Sequence, residues 1–94
     1  MGYTIWKYGI KVGDNVCIRM PKDAELLPVQ VQKGQVCIWA IVNSENEYED
    51  RYFHIYGTGH DIPVDILRSG IFLGTFQLHD GDLVFHMFEK VKDD

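Results

Sequence analysis

The segment Gly57-Thr58-Gly59-His60 has the residue types of a small anion-binding turn. Its two glycines allow the backbone to point N–H groups outward, and such nests bind phosphate or carboxylate groups. Thr58 adds a hydroxyl and His60 a ring donor, while His79 ends a strand beside another glycine-containing turn. We therefore predict a candidate ligand-binding site made of Gly57, Thr58, Gly59, His60 and His79. A purely steric turn would use the same glycines, so that alternative stays open.

The other two histidines, His54 and His86, lie between apolar neighbours within predicted strands. Buried polar groups usually find hydrogen-bond partners, so we expect both rings to be partly buried and satisfied. Zinc needs several converging nitrogen or sulfur ligands, and the chain has no CxxC or HExxH motif that would supply them. We predict no metal and no cofactor.

The sequence also disfavours a nucleophilic enzyme. Ser44 and Ser69 both lie outside any GxSxG elbow. Cys17 and Cys37 are each the centre of an apolar VCI triplet, which predicts buried free thiols rather than stabilised thiolates. The two aspartates that flank Gly81 are explained by turn formation. We therefore expect no catalytic residues and a protein that is not an enzyme.

These side chains must be positioned by β-strands, because apolar residues alternate with polar ones along most of the chain. Strands are predicted over residues 3–8, 15–20, 29–32, 35–43, 51–56, 71–79 and 82–90. In the second strand Val16, Ile18 and Met20 share one face, and in the third Val29 and Val31 point inward. The fourth strand is apolar on both faces, which is typical of a central strand.

Turn residues and polar stretches predict the connections. The acidic segment 44–50 is expected to be a mobile loop, and residues 22–27 leave room for at most one helical turn between two prolines. Another helical turn is expected at 64–69, and Asp80-Gly81 predicts a type I′ hairpin. The tail 91–94 is expected to fray. The whole chain, 1–94, is predicted to be one all-β domain, a small antiparallel sandwich or partly closed barrel of about six or seven short strands.

The composition limits the class of partner. The net charge is −5, and the nine basic residues are scattered, which disfavours a nucleic-acid-binding protein. No stretch approaches the roughly 18 consecutive apolar residues of a membrane span, so we expect no membrane contact and a cytosolic location. Tyr3, Tyr8, Tyr48 and Tyr52 are candidate exposed aromatic anchors for a protein interface.

Three stretches carry a family resemblance: residues 20–42, the YGTGH segment at 56–60, and residues 73–89 with their GT-QLH-G-LVFH-F spacing. Together with Lys7-Tyr8 they cover most of the chain. They resemble a family of small β domains that are encoded by phages and prophages and catalogued as a domain of unknown function. The resemblance implies a compact β domain in the cytoplasm of a bacterial host, and it supplies no activity, substrate or catalytic residue.

We therefore expect a non-enzymatic phage accessory protein that inhibits a bacterial host defence system by binding one of its protein components. One alternative is a protein that binds and sequesters a small anionic ligand, a nucleotide signal, at Gly57–His60 and His79. A second alternative is a virion or assembly component, in which sheet edges join copies into a homo-oligomer. The partner is a host or phage protein in the leading hypothesis.

Overall fold

Alternating apolar residues give two antiparallel β-sheets in the computed structural model, which describes residues 2–13 and 15–90. The strands are β1 (Tyr3–Ile10), β2 (Val16–Pro21), β3 (Glu25–Leu26), β4 (Gln30–Gln32), β5 (Gln35–Asn43), β6 (Tyr48–Gly57), β7 (Gly70–Leu78) and β8 (Leu83–Lys90), and the helix is α1 (Val64–Ser69). In the first sheet β5 pairs with β1 on one side and with β3 and β4 on the other. The second sheet has the order β2-β6-β8-β7. The predicted all-β sandwich is confirmed, and the sheets do not close into a barrel.

The inward faces of the two sheets form the main core. Its buried members are Ile10, Met20, Ala24, Val29, Val36, Ile38, Ala40, Val42, Phe53, Ile55, Leu73, Phe76 and Met87. The central position predicted for residues 35–43 is confirmed, because β5 is paired on both sides. Val16 and Ile18 pack against this core and Met20 belongs to it, as the alternation predicts.

Val31 does not point inward as predicted. It is 36% exposed, whereas Val29 is 5% exposed. The reason is that Val29 lies just before β4 and docks on β7, where its N–H donates to the Leu73 carbonyl at 3.0 Å. The strand β7 has a bulge at Leu73, and Gly74 beside it has φ +136°. A Cβ at Gly74 would lie 2.9 Å from a Val29 methyl, so only glycine permits this close approach.

Two predicted connections differ in the structure. Strand β6 begins at Tyr48, so the acidic loop is shorter than 44–50: residues 48–50 pair with β2. Residues 22–27 form no helical turn and contain β3, which pairs with β5.

The predicted β7–β8 hairpin has a longer turn than expected, whereas the predicted helical turn is present. The β7–β8 connection spans residues 79–82 rather than two turn residues, with positive φ at His79, Asp80 and Gly81. The predicted helical turn at 64–69 is confirmed as α1. The tail 91–94 lies outside the described residues.

The two cysteines differ although both are centres of VCI triplets. Cys37 is buried, as predicted for a free thiol, but Cys17 is exposed. Cys17 lies on β2, at the edge of the second sheet, and alternates with the inward-facing Val16 and Ile18. Cys37 lies on the central strand β5. The prediction of burial is therefore wrong for Cys17.

Arg51 on β6 bonds to β8 and to the connection between β2 and β3, where the chain passes from the second sheet to the first. Its guanidinium forms a bidentate pair with the Glu89 carboxylate, with Nη2 2.9 Å from Oε1, and Nη1 donates to the Ala24 carbonyl at 3.0 Å. The Arg51 and Glu89 side chains are only 17% and 9% exposed. The hydrogen bond to Glu89 raises the pKa of Arg51 further, so the guanidinium stays charged. Glu49 accepts the Asp23 N–H at 3.1 Å and extends the network to the β2–β3 connection.

Replacing Arg51 by methionine should lower the free energy of unfolding by about 3 kcal/mol or more, because it leaves the Glu89 carboxylate buried and unpaired. Chemical denaturation measures the loss. The matched control is Arg19→Met, whose pair with Asp50 is 64% and 45% exposed and should contribute less than about 1 kcal/mol.

Replacing both charges, as Arg51→Met with Glu89→Leu, should restore most of the stability, because no uncompensated charge remains. Equal losses for Arg51→Met and Arg19→Met would contradict the role given to the buried pair.

Candidate functional site

The predicted turn Gly57–His60 begins at the last residue of β6 and is held by backbone hydrogen bonds. Gly59 has φ +90°, and the His60 N–H donates to the Gly57 carbonyl at 3.0 Å. The Thr58 N–H donates to Val84 of β8 at 3.1 Å. Two of the amides on which an anion-binding nest would depend are therefore hydrogen-bonded within the chain.

The glycine at position 57 makes room for a histidine ring. A Cβ there would lie 2.9 Å from Cε1 and 3.0 Å from Nδ1 of His60, closer than real Cβ atoms approach. The ring of His60 therefore lies against the Gly57 backbone. This contact explains why position 57 is a glycine, and the sequence alone did not indicate it.

Thr58 contacts His86, a residue outside the predicted site. Its hydroxyl lies 2.8 Å from His86 Nε2, and the Thr75 hydroxyl lies 2.9 Å from His86 Nδ1. A hydroxyl can donate or accept, so the two threonines can bond both ring nitrogens whichever tautomer the ring adopts. The expectation of a satisfied His86 is confirmed.

His79 lies apart from the other four predicted site residues. It is in the β7–β8 turn with φ +53° and lines a cavity of about 590 Å³ with Val31, Gly34 and Gln77. His60 lines a different cavity of about 340 Å³, beside Tyr56 and Ile66. The structure therefore brings Gly57, Thr58, Gly59 and His60 together, with His86 and not with His79.

The outer face of the second sheet carries a row of rings. His54 stacks on Tyr56 at 6.5 Å between centroids, Tyr56 meets Phe88 at 6.1 Å, and Phe88 meets Phe72 at 5.4 Å. Helix α1 contacts β7 and β8 and buries Ile66 to 2% exposure. Polar and aromatic side chains are thus held on three neighbouring strands.

His54 differs from its prediction. The residue is half-buried as expected, but its Nε2 is buried without a hydrogen-bond partner. Position 54 lies between strands β2 and β8, and its cross-strand partner, Phe88, offers no polar group. Unpaired buried nitrogens are rare in folded proteins, so His54 is the most unusual polar group of this face.

The alternation of side chains along β6 and β8 could have identified the residues of this outer face from the sequence. Tyr56 and His86 are direct cross-strand partners, and His54 and Phe88 are the next such pair. Their alternation with the core residues Ile55 and Met87 places all four on the outer side. What the sequence lacked was the register between β6 and β8.

Three of the four predicted aromatic anchors are exposed. Tyr3 is 74% exposed, and Tyr48 and Tyr52 are each 46% exposed. Tyr8 is not an anchor, because its hydroxyl oxygen is buried without a partner. Burial, with a smaller contribution from Tyr48, raises the pKa of Tyr8.

Helix α1 is tied to the sheet by an ion pair. Lys90 Nζ lies 2.9 Å from the Asp65 carboxylate, and both side chains are substantially exposed. The hydrogen bond from Lys90 is the main cause that lowers the pKa of Asp65. Ile66 and this pair together hold the short helix against β7 and β8.

Within residues 2–13 and 15–90, no group of three or more His, Cys, Asp or Glu side chains is placed to hold a metal ion. No described helix has the length and apolar character needed to cross a membrane.

Thr58→Val should remove one of the two hydrogen bonds to the His86 ring while keeping the shape of the side chain. The free energy of unfolding should fall by less than about 1 kcal/mol, because the contact is exposed. The ring nitrogen shifts of His86, measured by long-range ¹H–¹⁵N NMR, should change clearly. Thr75→Val is the matched control at the other nitrogen, and unchanged nitrogen shifts in both variants would contradict the two-threonine contact.

Lowering the pH should loosen α1. A carboxyl whose pKa is lowered in the folded state stabilises the fold fully at pH values above its ordinary pKa, about 3.9. That stabilisation is lost as the pH falls through the lowered pKa of the folded state. Amide hydrogen exchange in α1, corrected for intrinsic rates, should therefore accelerate below about pH 4.

Asp65→Asn should show the faster exchange at every pH, whereas Asp50→Asn, whose arginine pair lies on β2, should leave α1 unchanged. An α1 exchange rate that does not respond to Asp65→Asn would contradict the role of the ion pair.

Comparison with known proteins identifies a family for this chain. No curated protein and no solved structure matches the chain. The family model described as domain of unknown function DUF7352 matches residues 1–94, which is the full sequence. The chain therefore belongs to the family DUF7352, a domain of unknown function.

Proposed function

We propose that the protein is a non-enzymatic binding protein that docks on a protein partner through α1 and the edge strand β7. The observation that carries the proposal is a group of large apolar side chains exposed within nine positions of the chain. Val64 is 59% exposed, Leu67 is 68% exposed and Phe72 is 55% exposed. Clustered exposed apolar side chains are typical of interaction sites, and aromatic ones are frequent anchors.

The backbone of β7 supports the same surface. Among the described residues β7 pairs only with β8, and Val29 contacts its other side at Leu73. The Gly70 N–H is bonded to the Ile66 carbonyl of α1, so the part of this edge without a strand partner among the described residues begins at Ile71 and Phe72. Such an edge can accept an added strand from a partner, whose side chains then contact the neighbouring apolar residues.

The charge of the chain favours one kind of partner. The net charge of −5 disfavours acidic surfaces and favours a partner with a basic one. We propose that this partner is a component of a bacterial defence system, which the protein inhibits as a phage or prophage accessory in the host cytoplasm. The family resemblance of residues 20–42, 56–60 and 73–89 supports the phage or prophage origin in this proposal, and the inhibitory role is an expectation from that origin.

Phe72→Glu should weaken partner binding at least tenfold, because it places a charge among the exposed apolar side chains proposed to contact the partner. The matched control is Ile5→Glu on β1, which is 56% exposed and lies on the other sheet. Tagged proteins are used to recover partners from bacterial lysate, and the affinity of the recovered partner is then measured by calorimetry.

Equal affinity of both variants, with circular dichroism showing intact folds, would contradict the proposal. A wild-type protein that forms a large homo-oligomer, and that Phe72→Glu converts to a monomer, would instead support the assembly alternative.

A further inference from the structure

A cleft follows β6 on the outer face of the second sheet. It consists of two cavities of about 550 and 340 Å³, and Asn15 and His54 line both of them. The smaller cavity lies between β6 and the segment that leads into α1. Its volume is within the range of about 300–1,000 Å³ that is typical of sites for small organic molecules.

Aromatic rings form one wall of the smaller cavity. His54 and Tyr56 both line it and lie on the outer side of β6, because they alternate with core residues of the same strand. Their rings are nearly parallel, with 14° between the planes and 6.5 Å between the centroids. The face of a tyrosine ring is electron-rich and attracts a cation that lies within about 6 Å of its centroid.

The fully charged side chains of the same wall and rim are carboxylates. Asp61 and Asp65 line the smaller cavity, and no lysine or arginine is among the described residues that line it. Asp65 is bonded to Lys90 at 2.9 Å, whereas Asp61 has no ion pair within residues 2–13 and 15–90. The Asp61 carboxylate is therefore an uncompensated negative charge at this cavity, which favours a cation over an anion.

The two kinds of lining together favour one type of cation. A primary ammonium group is strongly hydrated and needs acceptors for its three N–H groups. A quaternary ammonium group has no N–H, and its methyl groups can cover apolar surface while a ring face attracts its charge. The cavity offers rings, the aliphatic surface of Ile66 and one uncompensated carboxylate, which fits a quaternary group better than a primary one.

We propose that the smaller cavity binds a quaternary ammonium group, with the Tyr56 ring against the cation and the Asp61 carboxylate balancing its charge. The site is separate from the β7 edge and goes beyond the protein-binding function. Either proposal can fail without the other, because the cation site depends on Tyr56 and Asp61 and the partner site on Phe72.

The test compares choline with 3,3-dimethylbutan-1-ol, its uncharged isostere, in which a carbon atom replaces the nitrogen. Both are titrated into the full chain at about pH 8, where an ordinary imidazole is neutral, and sodium chloride keeps the ionic strength constant. Chemical shifts of the protein give the dissociation constants. Choline should bind about tenfold more tightly than the alcohol, as the combined effect of one ring contact and one carboxylate.

Substitutions separate the contribution of the ring from that of the carboxylate. Tyr56→Leu removes the ring but keeps an apolar side chain, so it should weaken choline binding about fivefold. Tyr56→Phe keeps the ring and should leave the choline affinity within about twofold of the wild type. Asp61→Asn should weaken choline binding about threefold and leave the alcohol unchanged. Asp80→Asn, in the β7–β8 turn beside a different cavity, is the matched control.

Equal affinity of the wild type for choline and for the alcohol would overturn the proposal. Equal choline affinities of Tyr56→Leu and Tyr56→Phe, or of Asp61→Asn and Asp80→Asn, would overturn it as well. Asp61 and Asp80 are both exposed, so their comparison decides even where Tyr56→Leu does not fold.

A further probe identifies the source of the ammonium group. Nα-acetyl-Nε-trimethyllysine N-methylamide carries the choline headgroup on a peptide backbone. Tighter binding of this probe than of choline assigns the group to a methylated lysine of a protein, and equal or weaker binding assigns it to a small molecule. Both results support the cation site, whereas binding of neither probe in preference to the alcohol would overturn it.

Discussion

The buried pair of Arg51 and Glu89 is the strongest electrostatic constraint inside the sandwich, because neither charge can lose its partner without a large cost in stability. Charges removed from water stabilise a fold only when their remaining polar atoms are bonded, and Arg51 meets this condition by donating also to Ala24. Ala24 lies between β2 and β3, where the chain passes from the second sheet to the first. One side chain on β6 therefore fixes β8 and the connection between the sheets.

This internal arrangement leaves the outer face of the second sheet available for binding. The strands β6 and β8 are paired on both sides, so the rings of His54, Tyr56, His86 and Phe88 are held on a rigid surface. Helix α1 covers part of that surface through Ile66. The cleft along β6 and the open edge of β7 are therefore features of the same sheet, and they present different chemistry to different ligands.

Local sequence predicted the features that depend on neighbouring residues. Alternation identified the strands and the inward faces of Val16, Ile18 and Met20, and the Pro63–Gly70 interval identified α1. It missed the first residues of β6 because their acidic side chains are typical of loops. In the fold Glu49 and Asp50 are each bonded to residues more than 20 positions away.

The candidate site was predicted only in part for the same reason. Gly57 to His60 lie together because they are consecutive, but His86 meets Thr58 and Thr75 from 28 and 11 positions away. His54 and His86 have similar apolar neighbours, and only the strand register decides that one is bonded and the other is not. Cys17 and Cys37 differ likewise, because one strand is at an edge and the other is central.

The central claim is that the protein acts by binding an unlike protein at α1 and β7. The most direct measurement is photo-crosslinking in bacteria, with p-benzoylphenylalanine placed at Leu67 in one protein and at Ile5 in another, both exposed positions. The account predicts one discrete covalent adduct with a different protein from position 67 and none from position 5. Adducts only between two copies of this chain, or equal adducts from both positions, would contradict it.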